Sequence, residues 1–299
     1  MTIIELLETS QTFLVIASLV LGLLIGSFLN VIIYRMPIIL QREWKQHCRE
    51  FLESDDPSPE EKKHSVKHEV FNLLQPGSHC PHCNHKIKPW ENIPLISYVT
   101  LGGKCSHCRA KISLRYPSVE LVSGILSALV AFTFGATWLT LSLLIFTWSL
   151  VVLTLIDVYH QLLPDDITIP LLWLGLLVNT LDLGFGVAID DAVIGAIAGY
   201  LVLWIFFWVF KLITGKEGMG YGDFKLLAAL GAWMGWQSLL PIIILSSVVG
   251  AISGIIMIIT LGRDNSLPMP FGPYLSGAGF IMLIWGPEIS ALYISSVSG

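Results

Sequence analysis

Two groups of residues in this sequence have the type and spacing that chemistry needs. The first is a pair of cysteine knuckles, Cys80-Pro81-His82-Cys83 and Cys105-Ser106-His107-Cys108, with 21 residues between Cys83 and Cys105. Each knuckle sets two thiolates on one tight turn, and two knuckles supply the four sulfurs that suit tetrahedral zinc. Four sulfurs fill that shell, which leaves His79, His82, His85 and His107 spare and disfavours a Lewis-acid role. A redox pair is the plain alternative, which one CxxC allows and two at this spacing disfavour. The second group is carboxylates in apolar surroundings: Asp157 in Leu155-Ile156-Asp157-Val158, and Asp223 in Gly220-Tyr221-Gly222-Asp223-Phe224. Charges there are expensive and functional by default. Two carboxylates meeting at one depth can share a proton. One then activates water while the other protonates a carbonyl or leaving amine. Gly220 and Gly222 flank Tyr221 and lack Cβ atoms. They are a candidate platform for an extended peptide, through unusual dihedrals and close approach. Taken singly, each Asp has a plainer reading: Asp223 as a helix N-cap, and Asp157, Asp165 and Asp166 in a headgroup zone.

The elements that must position these groups follow from composition. Of 299 residues, 54% are hydrophobic and only 13% charged, about half the usual complement. That excludes a disordered chain, a nucleic-acid-coating protein and an ordinary soluble enzyme, and leaves a polytopic membrane protein. Runs of ~20 apolar residues predict about eight transmembrane helices in an all-α chain, near 10–34, 117–136, 138–157, 166–183, 189–213, 223–242, 243–262 and 272–294. The weakest boundaries are at Gly135 and at Gln237–Pro241.

Of the 17 Lys and Arg, 13 lie between Arg35 and Arg115, with all five Cys and seven of the eight His. The others are Lys211, Lys216, Lys225 and Arg263. With the N-terminus outside, every basic residue falls in or near an inside segment, as the positive-inside rule requires. The outside segments hold Glu5, Glu8, Asp182, Asp190, Asp191 and Glu288. Three domains are therefore expected: a first helix over 1–35, a cytoplasmic four-cysteine domain over 36–116, and a transmembrane core over 117–299. A cytoplasmic location argues against disulfides, and a small domain needs a staple such as zinc. Cys48 stands alone as a free thiol in the charged stretch 41–70. The first span lacks a basic n-region and a cleavage site, so it reads as a retained helix. Ser27 and Asn30 lie inside it, where helix packing and one interhelical hydrogen bond are the plain expectation. Asp223 would begin a helix and Asp157 would end one, so the macrodipole favours the anion at Asp223 and makes it the expected base.

Several motifs taken together resemble one family. They are Gly26-Ser27-Phe28-Leu29-Asn30, the two CxxC pairs, Glu91-Asn92-Ile93-Pro94, Ile156-Asp157 with Leu163-Pro164-Asp165, and Gly220-Tyr221-Gly222-Asp223. In this order, over about residues 20–275, the chain resembles the bacterial type IV prepilin peptidases, which are bifunctional leader peptidases and N-methyltransferases. The last motif looks like the GxGD signature of that class of intramembrane aspartyl protease. The resemblance implies Asp157 and Asp223 as the catalytic pair, zinc on Cys80, Cys83, Cys105 and Cys108, and prepilins and type II secretion pseudopilins as substrates. It implies leader removal at the cytoplasmic face of the bacterial inner membrane, then methylation of the new N-terminus from S-adenosylmethionine. No Rossmann fingerprint marks a methyl-donor site, so a nonstandard one is implied. The place to look is where the zinc domain meets Asn30, Glu91, Asn92 and Gly103, and turns and caps are an equally good reading of each of these residues singly. Two alternatives remain at this point: a GxGD protease without methyl transfer, and a proton-coupled transporter with a zinc docking domain. Membrane lipid is an expected partner and nucleic acid is not.

Overall fold

A computed structural model describes residues 3–53, 71–261 and 269–297. Among them the chain is mostly helical and has no strands, only two isolated antiparallel bridges, His79 with Lys86 and Lys104 with Lys111. The charged residues expected over 54–70, and Arg263, lie outside the described residues. The helices are α1 (Ile3–Thr9), α2 (Gln11–Glu53), α3 (Ile96–Thr100), α4 (Arg115–Phe134), α5 (Trp138–His160), α6 (Asp165–Thr180), α7 (Ile189–Thr214), α8 (Tyr221–Met234), α9 (Leu239–Leu261) and α10 (Gly272–Val297). The chain divides into two compact units, residues 20–124 and residues 1–19 with 125–299.

Five described helices are long and apolar enough to cross a membrane: Gln11–Leu52, Arg115–Phe134, Trp138–His160, Ile189–Thr214 and Trp236–Thr260. The other three expected spans are also helices, but of a different kind. α6 has 16 residues and α8 has 14, short of the ~20 needed to cross. α10 bends at Trp285, two residues before Pro287, whose ring clashes with the carbonyl four residues back. The break after α8 comes at Gly235, earlier than the Gln237–Pro241 expected from the sequence. Gly235 takes φ +78 and ends the helix. Pro241 instead sits in the first turn of α9, where a missing N–H costs nothing. α2 runs for 43 residues and passes through Pro37 without breaking, so the charged stretch after the first span continues the same helix as far as Glu53.

Within the larger unit, α8 packs on α6, α7 and α10. Its residues Phe224, Leu226, Leu227, Ala229, Leu230 and Ala232 have no exposed surface. Small residues let α7 approach. A Cβ on Gly199 would stand 2.6 Å from the Leu227 carbonyl, and Gly195 meets Gly231 backbone to backbone. This is the small-xxx-small packing that replaces the hydrophobic effect between membrane helices. On the other side Trp233 lies over Gly175 of α6, and its Nε1 donates to the Leu171 carbonyl at 2.8 Å. Asn179 of α6 donates to the Ala232 and Trp233 carbonyls, so the last turn of α8 has partners although it is buried.

Candidate active site

α5 and α8 carry the two carboxylates. Asp157 lies in the last turn of α5 and Asp223 at the third residue of α8; they are 5% and 6% exposed, so both are buried polar groups. They are near enough to interact electrostatically. A third helix joins them: Gly272, the first residue of α10, donates its N–H to Asp157 Oδ2 at 2.9 Å. Asp223 Oδ1 has no hydrogen-bond partner among the described residues. The helix-end expectation that set Asp223 apart from Asp157 therefore loses its basis. Asp223 lies in the first turn of its own helix, and Asp157 faces the N-terminus of α10, where backbone donors also favour an anion.

Neither platform glycine has the unusual backbone expected of it. Gly220 is extended at φ −82, ψ 150, and Gly222 lies within α8. What Gly222 supplies is room. A Cβ there would stand 2.6 Å from Leu163 Cβ. Gly272 does the same on the other flank, where a Cβ would meet Asp157 Oδ2 at 2.6 Å and Leu163 Cδ2 at 3.2 Å. Leu163 thus sits between the glycine before Asp223 and the glycine that binds Asp157. Nothing in the sequence singles out Gly272, which lies outside every quoted motif.

In the smaller unit the four cysteine sulfurs all lie within 4.8 Å of one another. Cys80 and Cys108 are 3.8 Å apart, and Cys83 and Cys105 are 4.0 Å apart. Four sulfurs ~2.3 Å from one zinc would be ~3.8 Å apart, so the donor set fits that ion. The two knuckles repeat one backbone pattern. Asn84 N–H bonds the Cys80 carbonyl and Arg109 N–H the Cys105 carbonyl, and Asn84 and Arg109 both take left-handed φ. The N–H groups of His82 and Cys83 draw the Cys80 thiol down to about 7, and those of Cys108 and His107 lower Cys105. The His85 N–H also acts on Cys83, but burial and the neighbouring sulfurs outweigh it and push that thiol up to about 12. Clustered sulfurs of this kind become thiolates together only when a cation joins them.

Glu91 joins the knuckles. Its carboxylate accepts the Lys88 N–H at 2.9 Å and lies 3.5 Å from His85 Nε2. The Lys88 N–H, then the Ser106 hydroxyl and His85, hold it below the usual carboxylate range. His85 in turn stacks on His107 with ring centroids 5.3 Å apart. Asn92 donates to Ser27 Oγ at 3.1 Å, and Asn30 donates to the Gly26 and Tyr116 carbonyls. Three of the four residues proposed to surround a methyl donor are therefore engaged in holding the unit together. The fourth, Gly103, lines a cavity of about 530 Å³ with Tyr98, Gly102, Lys104, Lys111 and Ile112. Cys48 is an exposed free thiol on α2.

Comparison with known proteins covers both parts of the chain. Residues 20–134 match the Bacterial Peptidase A24 N-terminal domain, and residues 144–255 match the Type IV leader peptidase family. The chain is 53% identical to a prepilin leader peptidase/N-methyltransferase of Stutzerimonas stutzeri, over 98% of each chain. The chain belongs to the type IV leader peptidase family. Family members with the same descriptive name in Pseudomonas aeruginosa and Aeromonas salmonicida are 51% and 55% identical, over 98% and 92% of each chain. No solved structure matches it.

Proposed function

We propose that this protein removes the leader of type IV prepilins and pseudopilins with Asp157 and Asp223, then methylates the new N-terminal amine from S-adenosylmethionine. One observation supports the first half: two buried carboxylates, one in the last turn of α5 and one in the first turn of α8, lie on the two flanks of Leu163. In this reading the scissile bond, where an apolar substrate helix gives way to its charged leader, is presented to them. The pair shares a proton, one carboxyl taking a proton from water as the other gives one to the scissile amide. Asp223 Oδ1, buried and without a hydrogen-bond partner among the described residues, has an open acceptor position for the proton that the pair shares. Gly220 and Gly222 flank this point and form the platform side of the site.

For the second half, S-adenosylmethionine supplies an electrophilic methyl group on sulfur. Gly102 and Gly103 both take left-handed φ, and Gly103 N–H bonds the Tyr98 carbonyl, which bares the backbone beside the Tyr98 cavity. The Tyr98 ring offers a stacking face for an adenine, and Lys104 and Lys111 offer partners for a carboxylate. Cys80, Cys83, Cys105 and Cys108 would hold a structural zinc that fixes the Lys104–Lys111 side of this cavity. The relatives' names include both activities, which supports the double reading over a protease alone or a proton-coupled transporter.

In this reading the chain is a multi-pass protein of the bacterial inner membrane, in contact with its lipid. Residues 1–35 form the first span, 36–116 the cytoplasmic zinc domain and 117–299 the protease core. Mass spectrometry of a prepilin incubated with purified protein tests it. The pilin should lose its leader, and gain one methyl group only when S-adenosylmethionine is present. A shortened product that never gains the methyl would select the protease alone, and an uncut pilin would overturn both halves.

A further inference from the structure

Leu163-Pro164-Asp165 joins α5 to α6, and the chemistry above leaves it unused. It is fastened at both ends. Lys225 Nζ donates to both oxygens of Asp165, at 2.6 and 2.7 Å. At the other end Leu163, 8% exposed, is seated between Gly222 and Gly272. Gly222 immediately precedes Asp223, and Gly272 is the donor to Asp157. Lys225 itself follows Asp223 by two residues on α8. Two residues turn a helix by about 200°, so Lys225 leaves α8 on the side away from Asp223 and reaches the pair only through the turn it holds.

Resting on the proposed protease reading, we infer that Lys225 and Asp165 are positioning residues for the aspartate pair. Their ion pair ties the 161–165 turn to α8, and Leu163, carried on that turn, sets the spacing between Gly222 and Gly272 and so between the carboxylates. The pair is partly exposed, at 30% and 54% of each side chain, and such pairs add little to global stability. Its geometry is nonetheless well defined. Asp165 is the first residue of α6, where the helix end already favours its negative charge, and both its oxygens bond one ammonium. A close-packed site transmits a small shift of Leu163 directly to both flanking glycines.

The test uses the full chain in proteoliposomes with a prepilin. Lys225→Met and Asp165→Asn should each lower kcat for leader removal by about 10- to 100-fold while KM stays within about twofold. Thermal unfolding and methylation of an already cleaved pilin should match the unmodified protein. Either the charge-swapped double variant, Lys225→Asp with Asp165→Lys, or the conservative Lys225→Arg should recover most of the lost kcat. The inference is overturned if the single variants leave kcat intact, if the loss falls on KM as it would for a residue that grips substrate, or if neither rescue recovers activity. Failure of the unmodified protein to remove a leader would instead refute the protease reading itself.

Discussion

The two units solve the same problem, holding reactive groups in place beside a membrane, with opposite materials. The cysteine unit has little apolar core, and its turns are fixed by sulfurs, a carboxylate and side-chain amides: Cys80 with Cys108, Glu91 with His85, Asn92 with Ser27. The unit that carries the aspartates is fixed by the absence of side chains. Gly195, Gly199, Gly222, Gly272 and Gly279 let backbone or a neighbouring side chain approach where a Cβ would collide. Polar staples suit a loop-rich region that cannot bury enough surface. Close packing suits a region in lipid, where apolar burial gives no advantage over the surrounding tails. In the proposed reading the two activities rest on separable supports, and that separation can be attacked directly.

The largest expected effect is on the carboxylates. Asp157→Asn or Asp223→Asn should lower leader removal by about 10²- to 10⁴-fold, while methylation of an already cleaved pilin continues. Loss of both activities together would break the comparison. Next comes the metal. Cys80→Ser, or a chelator added to the unmodified protein, should release zinc measurable by a colorimetric dye and abolish methylation, with leader removal falling less than about tenfold. A third variant probes the packing. Gly222→Ala should slow cleavage by about 10- to 100-fold, and Leu163→Ala added to it should restore most of the rate, a coupling that a double-mutant cycle measures. The smallest effect is in the staples: Asn30→Ala should cost the cysteine unit about 1 kcal/mol, read as a lowered unfolding midpoint with cleavage unchanged.

Much of this was legible in one dimension. Long apolar runs mark helices because a bilayer forces the backbone to bond within its own segment, and each of the eight expected segments contains a helix, although the one over 223–242 breaks at Gly235. The CxxC knuckles were legible because metal-binding turns are local: ligand spacing and turn geometry lie within a few residues of each other. Asp157 and Asp223 stood out because a charge among Leu, Ile and Phe is rare. The end of α8 was misplaced because Pro241 looks like a breaker, whereas its effect depends on where in the helix it falls. Glu91 and Asn92 were noticed by motif, with a turn or cap as one reading of each, and Glu91 does cap the Lys88 N–H; their partners His85 and Ser27 become neighbours only on folding.

The sequence by itself therefore determined the class of molecule, its helices, the four-sulfur set and the two aspartates set among apolar residues. Those depend on residue type and on spacing along the chain. Only the tertiary structure decided what surrounds the acids: the Gly272 N–H on Asp157, Leu163 between two glycines, and Lys225 reaching back to Asp165. Each joins residues from different helices, and the distance between helices is set by which side chains are missing at the contact, a property that no single segment encodes.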